Sequence, residues 1–308
     1  INQKMKSICV FGVFVADLCF IGDSIPSKGQ TILGKKHIIG PGGKGSNQAI
    51  ASARLGGNVN FITKVGKDEN AKMALSLYKE IGINTNSIIQ DHSNLTGVAG
   101  IMINEKTGDN AINIIPGAAG TITNKDIENN SKFIEDSEIF LTQLETPYEA
   151  TSYALKKAKE TGSITIFNPA PASEILKQDF EMIDFFTPNE TEASYYLEEK
   201  VETDEEIKKA GDSFLKKGVK NIIITLGSRG VYFANSNENY FIEVFKLKDQ
   251  VIDTTGAGDA FNGALAFALS KNYKNKEAII FANKVAAIST TRSGAANSMP
   301  TIKEVENY

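Results

Sequence analysis

The apolar positions of this chain follow two rhythms, and the order in which they alternate predicts an architecture. Short runs rich in β-branched and aromatic residues at 7–14, 58–65, 138–143, 163–167 and 221–225 read as strands. Residues 47–55, 148–159, 204–217, 257–270 and 276–291 read as helices, the first of them closed by Gly56-Gly57. Strand, helix and strand in succession imply an α/β fold, a doubly wound and mainly parallel sheet with helices on both faces. One interval breaks the rhythm. Residues 96–115 form two strand-like stretches around Thr107-Gly108-Asp109, the pattern of a hairpin, and residues 30–39 mix β-formers with Lys and Gly as a half-exposed strand does. These stretches predict a small β-sheet lid, with segments at about 14–41 and 96–116, inserted in a single domain over residues 1–308. No repeat, low-complexity tract or Pro/Gly/Ser-rich linker divides the chain.

Composition narrows the function classes. With 308 residues and 41% hydrophobic content the chain supports a sizeable core. Its longest apolar runs, at 222–224 and 264–269, fall short of the roughly 20 residues that span a bilayer, so no membrane association is expected. Residues 1–7 lead straight into the first strand without a signal-type pattern. Cys9 and Cys19 lie among apolar neighbours, as buried thiols do in a reducing compartment, and a cytoplasmic location is expected. A net charge of −4 without a long basic run argues against a nucleic-acid partner. His37 and His92 are the only histidines, so a Ser-His-Asp triad or a His-rich metal site would need one of them, and both read as surface residues.

Two glycine-led turns carry the chemistry. In Asp253-Thr254-Thr255-Gly256-Ala257-Gly258-Asp259-Ala260-Phe261 a polar loop opens a long apolar helix. The unpaired amides and dipole of such a helix end favour an anion, small residues let a phosphate approach the backbone, and Asp259 sits in the first turn beside it. The simpler alternative is a capped helix after a glycine turn. Gly42-Gly43-Lys44-Gly45-Ser46-Asn47 is the second turn; it is not a P-loop, since Ile38 stands where the leading glycine belongs and Gly45 where a hydroxyl residue belongs. After the first strand, Gly12-Val13-Phe14-Val15 lacks the dinucleotide fingerprint, which excludes a nicotinamide-dependent dehydrogenase.

Together these turns resemble the two signature regions of the ribokinase-like (phosphofructokinase B) carbohydrate kinases. The likeness extends over nearly the whole chain. Thr187-Pro188-Asn189-Glu190-Thr191-Glu192 is similar to the family's Asn-x-x-Glu motif, and Ile224-Thr225-Leu226-Gly227-Ser228-Arg229-Gly230 to its nucleotide-binding stretch. Gln143-Leu144-Glu145 and Asn168-Pro169-Ala170-Pro171-Ala172 look closest to its ribokinase branch. The resemblance implies ATP-dependent phosphoryl transfer to the primary hydroxyl of a small furanose sugar. It makes Asp259 the base and Gly256, Ala257 and Gly258 the anion hole. It assigns the sugar to Asp17, Gly43, Lys44, Asn47, Glu145 and Asp259. ATP falls to Asn189, Thr225, Gly227, Ser228, Gly230 and Asn283, and Mg²⁺ to Glu192 through water. A K⁺ site falls on Asp253, Thr255, Ser289, Arg292, Gly294 and Ser298, and the lids of two copies are expected to pair in a homodimer.

The position of Asp259 at a helix N-terminus is expected to favour its anion and so to lower its basicity. One departure bears on the substrate. Ribokinases carry an asparagine two residues before the sugar-binding aspartate, and here that position is Val15. D-ribose is the default substrate, with 2-deoxyribose the rival and a hexose or nucleoside on the same scaffold a further alternative. A silent sugar-binding sensor is opposed by the retained base and glycines.

Overall fold

The computed structural model describes residues 7–308. The signal-type segment sought at the start of the chain falls at residues 1–6, outside the described residues. The strands are β1 (Ser7–Phe11), β2 (Val15–Gly22), β3 (Lys36–Gly42), β4 (Asn58–Val65), β5 (Ile88–Gln90), β6 (Thr96–Asn104), β7 (Asn110–Gly117), β8 (Ile139–Thr142), β9 (Ile164–Phe167), β10 (Phe185–Phe186), β11 (Asn221–Thr225), β12 (Val231–Asn235) and β13 (Asn239–Ile242). The helices are α1 (Lys44–Arg54), α2 (Glu69–Glu80), α3 (Asn124–Asn129), α4 (Ser131–Glu135), α5 (Tyr148–Glu160), α6 (Glu190–Leu197), α7 (Asp204–Lys216), α8 (Ala257–Ser270), α9 (Asn275–Ser289) and α10 (Ile302–Asn307).

Among the described residues the strands form two sheets, one ordered β13-β12-β11-β10-β9-β8-β1-β4-β5 and a smaller one ordered β3-β2-β6-β7. The large sheet is parallel except at the edge, where β12 and β13 run antiparallel. Side chains of a strand alternate between faces, and both faces of this sheet are buried. Ile8 and Val10 of β1 join a core with α1, α2, α8 and α9, whereas Cys9 and Phe11 join a second core with α5 and α7. This is the doubly wound arrangement that the rhythm predicts.

Several boundaries differ from expectation for local reasons. The first strand stops at Phe11: Gly12 N still donates to Ile62 O of β4 at 3.2 Å, but at Val13 the backbone turns to α1, whose Ser46 N donates to Val13 O at 3.0 Å. Regular pairing of the third strand begins only at Lys36, since its partner β2 ends at Gly22; Lys35 N still donates to Ile21 O at 2.8 Å, and residues 30–34 lie beyond the end of β2. Cys19 is only partly buried, on a small sheet whose faces are not both covered, whereas Cys9 is fully enclosed. His37 and His92 are exposed, as expected. The strand β2 and the β12–β13 hairpin have no counterpart in the sequence reading.

Helices α1 and α8, more than 200 residues apart in sequence, pack at glycine distance. A Cβ placed on Gly263 of α8 would stand 2.6 Å from both Ala51 Cβ and Gln48 O of α1, and Ser52 Oγ donates to Gly263 O at 2.7 Å. A second close approach sets the N-terminus of α1, where a Cβ on Gly45 would lie 2.6 Å from Gly12 Cα. Gly263→Ala is therefore expected to cost about 1–3 kcal/mol, because backbone and not a flexible side-chain end must move. Urea midpoints test this against Gly100→Ala, whose added Cβ meets nothing nearer than 3.9 Å and should change little.

Candidate active site

The order of the large sheet reverses between β1 and β8, since β1, β4 and β5 build one way and β8 to β11 the other. Such a switch point leaves a crevice at the carboxyl ends of the strands. There the chain places Gln143 and Glu145 after β8, Asn168 after β9, Thr187 and Asn189 after β10, and Thr225 at the end of β11. A cleft of about 190 Å³ opens at this edge, lined by Lys44, Asn168, Thr187, Asn189, Glu192, Thr225, Gly256, Gly258, Asp259 and Asn262 among others. A roomier groove lies elsewhere, around Lys159, Asp184 and Lys220, and holds none of the expected residues.

Asp259 is 6% exposed, in the first turn of α8. Its two oxygens meet two amides from α1: Asn47 Nδ2 donates to Oδ2 at 2.9 Å and Gln48 Nε2 donates to Oδ1 at 3.0 Å. Burial pushes the Asp259 carboxyl above the ordinary carboxylate range, against the pull of the Lys44 charge and of these two donors. The expectation that the helix N-terminus lowers its basicity is thus corrected: loss of water outweighs the dipole. Beside it, Gly256 caps α8 with φ 78, a left-handed conformation that glycine adopts without strain, and its Cβ would collide with Ala295 at 2.8 Å. The amides of Gly256, Gly258 and Asp259 meet no acceptor among the described residues, and a Cβ on Gly258 would project into open space. Ala257 N is spent instead on Thr254 O at 3.2 Å, which narrows the expected anion hole to its neighbours.

At the mouth of α1 the cap is Gly43, φ 88, and Lys44 N donates to Glu145 Oε2 at 2.8 Å. Gly42 has the same kind of necessity: a Cβ there would lie 2.1 Å from Asp17 Oδ1, so only glycine lets the Asp17 carboxylate rest on this turn. Burial drives Asp17 up to about 6 and Glu145 up to about 7, the latter opposed by Lys44 and reinforced by the charges of Asp259 and Asp17. Burial also raises Glu192, against the Asn189 amide and Lys44. Burial pulls Lys44 down, but Asp259, Glu145 and Glu192 together hold it above its ordinary value. Asn47 Oδ1 and Gln143 Oε1 are buried without a hydrogen-bond partner among the described residues, the latter packed against Gly12.

On the other flank Asn189 and Glu192 form a reciprocal capping box, Glu192 N to Asn189 Oδ1 and Asn189 N to Glu192 Oε2, both 2.8 Å. Thr225 bridges to Asn189, and Gly227, Ser228 and Gly230 follow in a tight turn that Arg229 ties to Glu190 and Asp204. Asn283 stands apart, donating to Glu243 O at 2.7 Å and so anchoring the loop after β13. In the expected cation loop Asp253 accepts from Thr255 N at 2.9 Å and from Gly294 N at 2.8 Å, joining the two segments. The hydroxyls of Ser289 and Ser298 donate to carbonyls of their own turns, and Arg292 pairs with Glu304 at 2.9 Å.

The sequence reading assigned no role to Gln48, Thr187 or Asn262, and placed Gln143 and Asn168 only within matched motifs. All are at most 6% exposed and bonded in one series, Asn168, Thr187 and Asn262 on the cleft wall and Gln48 and Gln143 behind it. Their only signal was polarity within otherwise apolar stretches.

A carboxylate able to take a hydroxyl proton, set against unpaired amides able to take negative charge, is the site of a phosphotransferase acting on an alcohol. The chain belongs to the pfkB family of carbohydrate kinases, whose family model matches residues 5–302. It is 36% identical to the ribokinase of Haemophilus influenzae over 303 residues, 98% of each chain. It is 33% identical to the deoxyribokinase of Salmonella typhi over 302 residues, again 98% of each. Its fold superposes on the solved structure of Arabidopsis thaliana ribokinase complexed with ribose and ATP with a TM-score of 0.91, at 29% identity and 98% coverage of both chains.

The raised carboxyls have a consequence for stability. Glu145 keeps its proton up to about 7 against an ordinary 4.5, and Asp17 up to about 6 against 3.8. Between those limits these two groups bind more protons in the folded chain than in the unfolded one, so the stability they contribute falls as pH rises from about 4 to 7. Glu145→Gln removes the larger share: its melting temperature should vary less with pH between about 4.5 and 7 than that of the parent. Parallel curves would refute the assignment.

Proposed function

We propose that this chain transfers the γ-phosphoryl group of ATP to the 5-hydroxyl of D-ribose. The observation that carries the proposal is the Asp259 carboxylate, buried, held by one amide on each oxygen, and adjacent to the unpaired amides of Gly256 and Gly258. A sugar hydroxyl placed against Asp259 loses its proton to that carboxylate as its oxygen bonds to phosphorus and the bond to the leaving ADP breaks. The α8 amides then hold the charge on the transferring group. Asp17, Lys44, Asn47 and Glu145 supply the acceptors and donors that a polyol requires, and the free Asn47 Oδ1 is an acceptor without a present use.

For the phosphates the reading uses Lys44, Asn189 and Thr225 on the cleft wall. Glu192 retains one carboxylate oxygen without a protein partner among the described residues, a hard donor that suits Mg²⁺ held through water. Bound there, Mg²⁺ shields the phosphate charge. K⁺ activation is part of the same proposal. With Asp253 engaged by two backbone amides and Arg292 drawn off to Glu304, backbone carbonyls would supply its ligands. Gly227, Ser228 and Gly230 are proposed for the nucleotide beyond the phosphates, and Asn283 acts there through the loop it anchors.

A second reading, 2-deoxyribose, is favoured by Val15. It is 3% exposed, two residues from Asp17 and hence on the same face of β2, and packs with Val13, Ala99 and Leu144. An apolar wall beside Asp17 leaves one sugar hydroxyl without a partner, a loss of about 1–3 kcal/mol that a deoxy sugar avoids.

The small sheet supports a homodimer. Phe20, Ile39, Met102 and Ile115 stand on its face opposite Asp17 and are between 41% and 57% exposed, an apolar patch suited to a second copy. No helix among the described residues is long and apolar enough to cross a membrane, and a cytoplasmic location, where ATP is supplied, is proposed with the activity.

The test is ADP release with MgATP in KCl or NaCl against ribose, 2-deoxyribose, fructose and adenosine. Ribose should be preferred, KCl should raise the rate, and Asp259→Asn should lose about 10²–10⁴-fold in kcat. A preference for 2-deoxyribose would select the second reading, and near-normal turnover of Asp259→Asn would remove the base. In sedimentation the parent should run as a dimer and Phe20→Glu as a monomer; a monomeric parent rejects the pairing.

A further inference from the structure

We propose that Gln48 is a positioning residue for the Asp259 base, its amide locked in the donating orientation by Gln143 on one side and Asn168 on the other. The proposal rests on the phosphotransferase reading of Asp259. Gln48 is fully buried and does not line the cleft, so it touches no substrate there and acts through the carboxylate.

An amide side chain can be turned either way, and here the neighbours decide. The chain of reasons starts at Thr187 O, which can only accept and takes Asn168 Nδ2 at 3.1 Å. Asn168 Oδ1 is thereby aimed at Gln48. Asp259 Oδ1, also an acceptor, faces Gln48 from α8, and Gln48 Nε2 gives one hydrogen to each, both at 3.0 Å. Its Oε1 then points to Gln143, whose Nε2 donates at 2.6 Å. The orientations agree from Thr187 through Gln48 to the Gln143 donor, and the one oxygen left over is Gln143 Oε1 at the end of the series. A residue that merely filled this space would have no use for two donors and an acceptor so disposed, and an orphaned one would be costly at this depth.

The outcome is a carboxylate with each oxygen fixed by a different side chain of α1, Asn47 on Oδ2 and Gln48 on Oδ1. Asn47 has an unused oxygen for ligand, whereas Gln48 has none left. Gln48 is spent wholly on geometry. Losing it frees the Asp259 rotamer and removes a donor to its charged form, which raises its proton affinity.

Two readouts test this. In Gln48→Leu, kcat should fall about 10- to 100-fold while KM for sugar and ATP stays within about twofold. Gln143→Leu, which leaves the Asn168 contact in place, should fall less; Gln48→Met repeats the test should the leucine variant fold poorly. Independently of turnover, carbon-13 spectra of aspartate-labelled full chain, with Asp259 assigned by its loss in Asp259→Asn, should show that carboxyl titrating about one pH unit higher in Gln48→Leu. Lys44 from α1, Glu145 from the loop after β8 and Glu192 from α6 are the charged groups facing it, and all are the same in both proteins. An unmoved titration overturns the proposal whether or not a sugar is phosphorylated, and so does a moved titration with kcat unchanged. A parent protein that phosphorylates none of the sugars while its titration still moves defeats the kinase reading and leaves Gln48 as the residue that holds Asp259.

Discussion

The contact on which this site depends is the crossing of α1 and α8. No side chain separates the helices at Gly263, where a single added methyl would meet the backbone of α1. That closeness sets the length scale for the catalytic end. One turn away, amide side chains of α1 reach Asp259 at 2.9 and 3.0 Å. The same helix begins at Lys44, capped by Gly43 directly after β3 of the small sheet ends at Gly42, so the small sheet and the amides that hold Asp259 are joined through one helix.

The second constraint is electrostatic. Glu145, Glu192 and Asp259 gather around the single ammonium of Lys44, and Asp17 lies within reach of Glu145, all of them largely buried. Four carboxyls and one cation form an unbalanced set, and the protein accommodates it by holding several protons more tightly than usual. The unpaired amides of α8 lie within the same cleft. Hydroxyl donors at the carboxyls and a phosphate at the amides would relieve both deficits, which is the electrostatic ground for the sugar and nucleotide that we propose.

The parts legible in the sequence were those with a local cause. The glycine-led starts of α1 and α8 announce themselves in a few consecutive residues, and the long helices follow from period and composition: 257–270 and 204–217 fall within a residue of the observed α8 and α7. The small sheet was legible as a hairpin at 96–115 but not in β2, whose half-exposed pattern resembles a loop as much as a strand. The amide series Gln143–Gln48–Asn168 was beyond reach for a different reason. Each member is an unremarkable polar residue in its own segment, and only a parallel sheet that sets the ends of β8 and β9 next to α1 turns three separate residues into one bonded chain. Non-local hydrogen bonding leaves no periodic trace in a sequence.

The one physical expectation that failed is instructive about the chemistry. A helix N-terminus favours an anion by about 0.3–1 kcal/mol near the surface, whereas taking a carboxylate out of water costs several times that. At Asp259 the second effect wins, and the base is stronger than its position in α8 alone would make it. If Asp259 is the base that we propose, a loose phosphoryl transfer, in which the attacking oxygen acquires little bonding until late, asks more of its position than of its basicity. What the structure supplies is a buried carboxylate with one fixed amide donor on each oxygen. The raised proton affinity comes from the burial, and the two donors that orient the group oppose it.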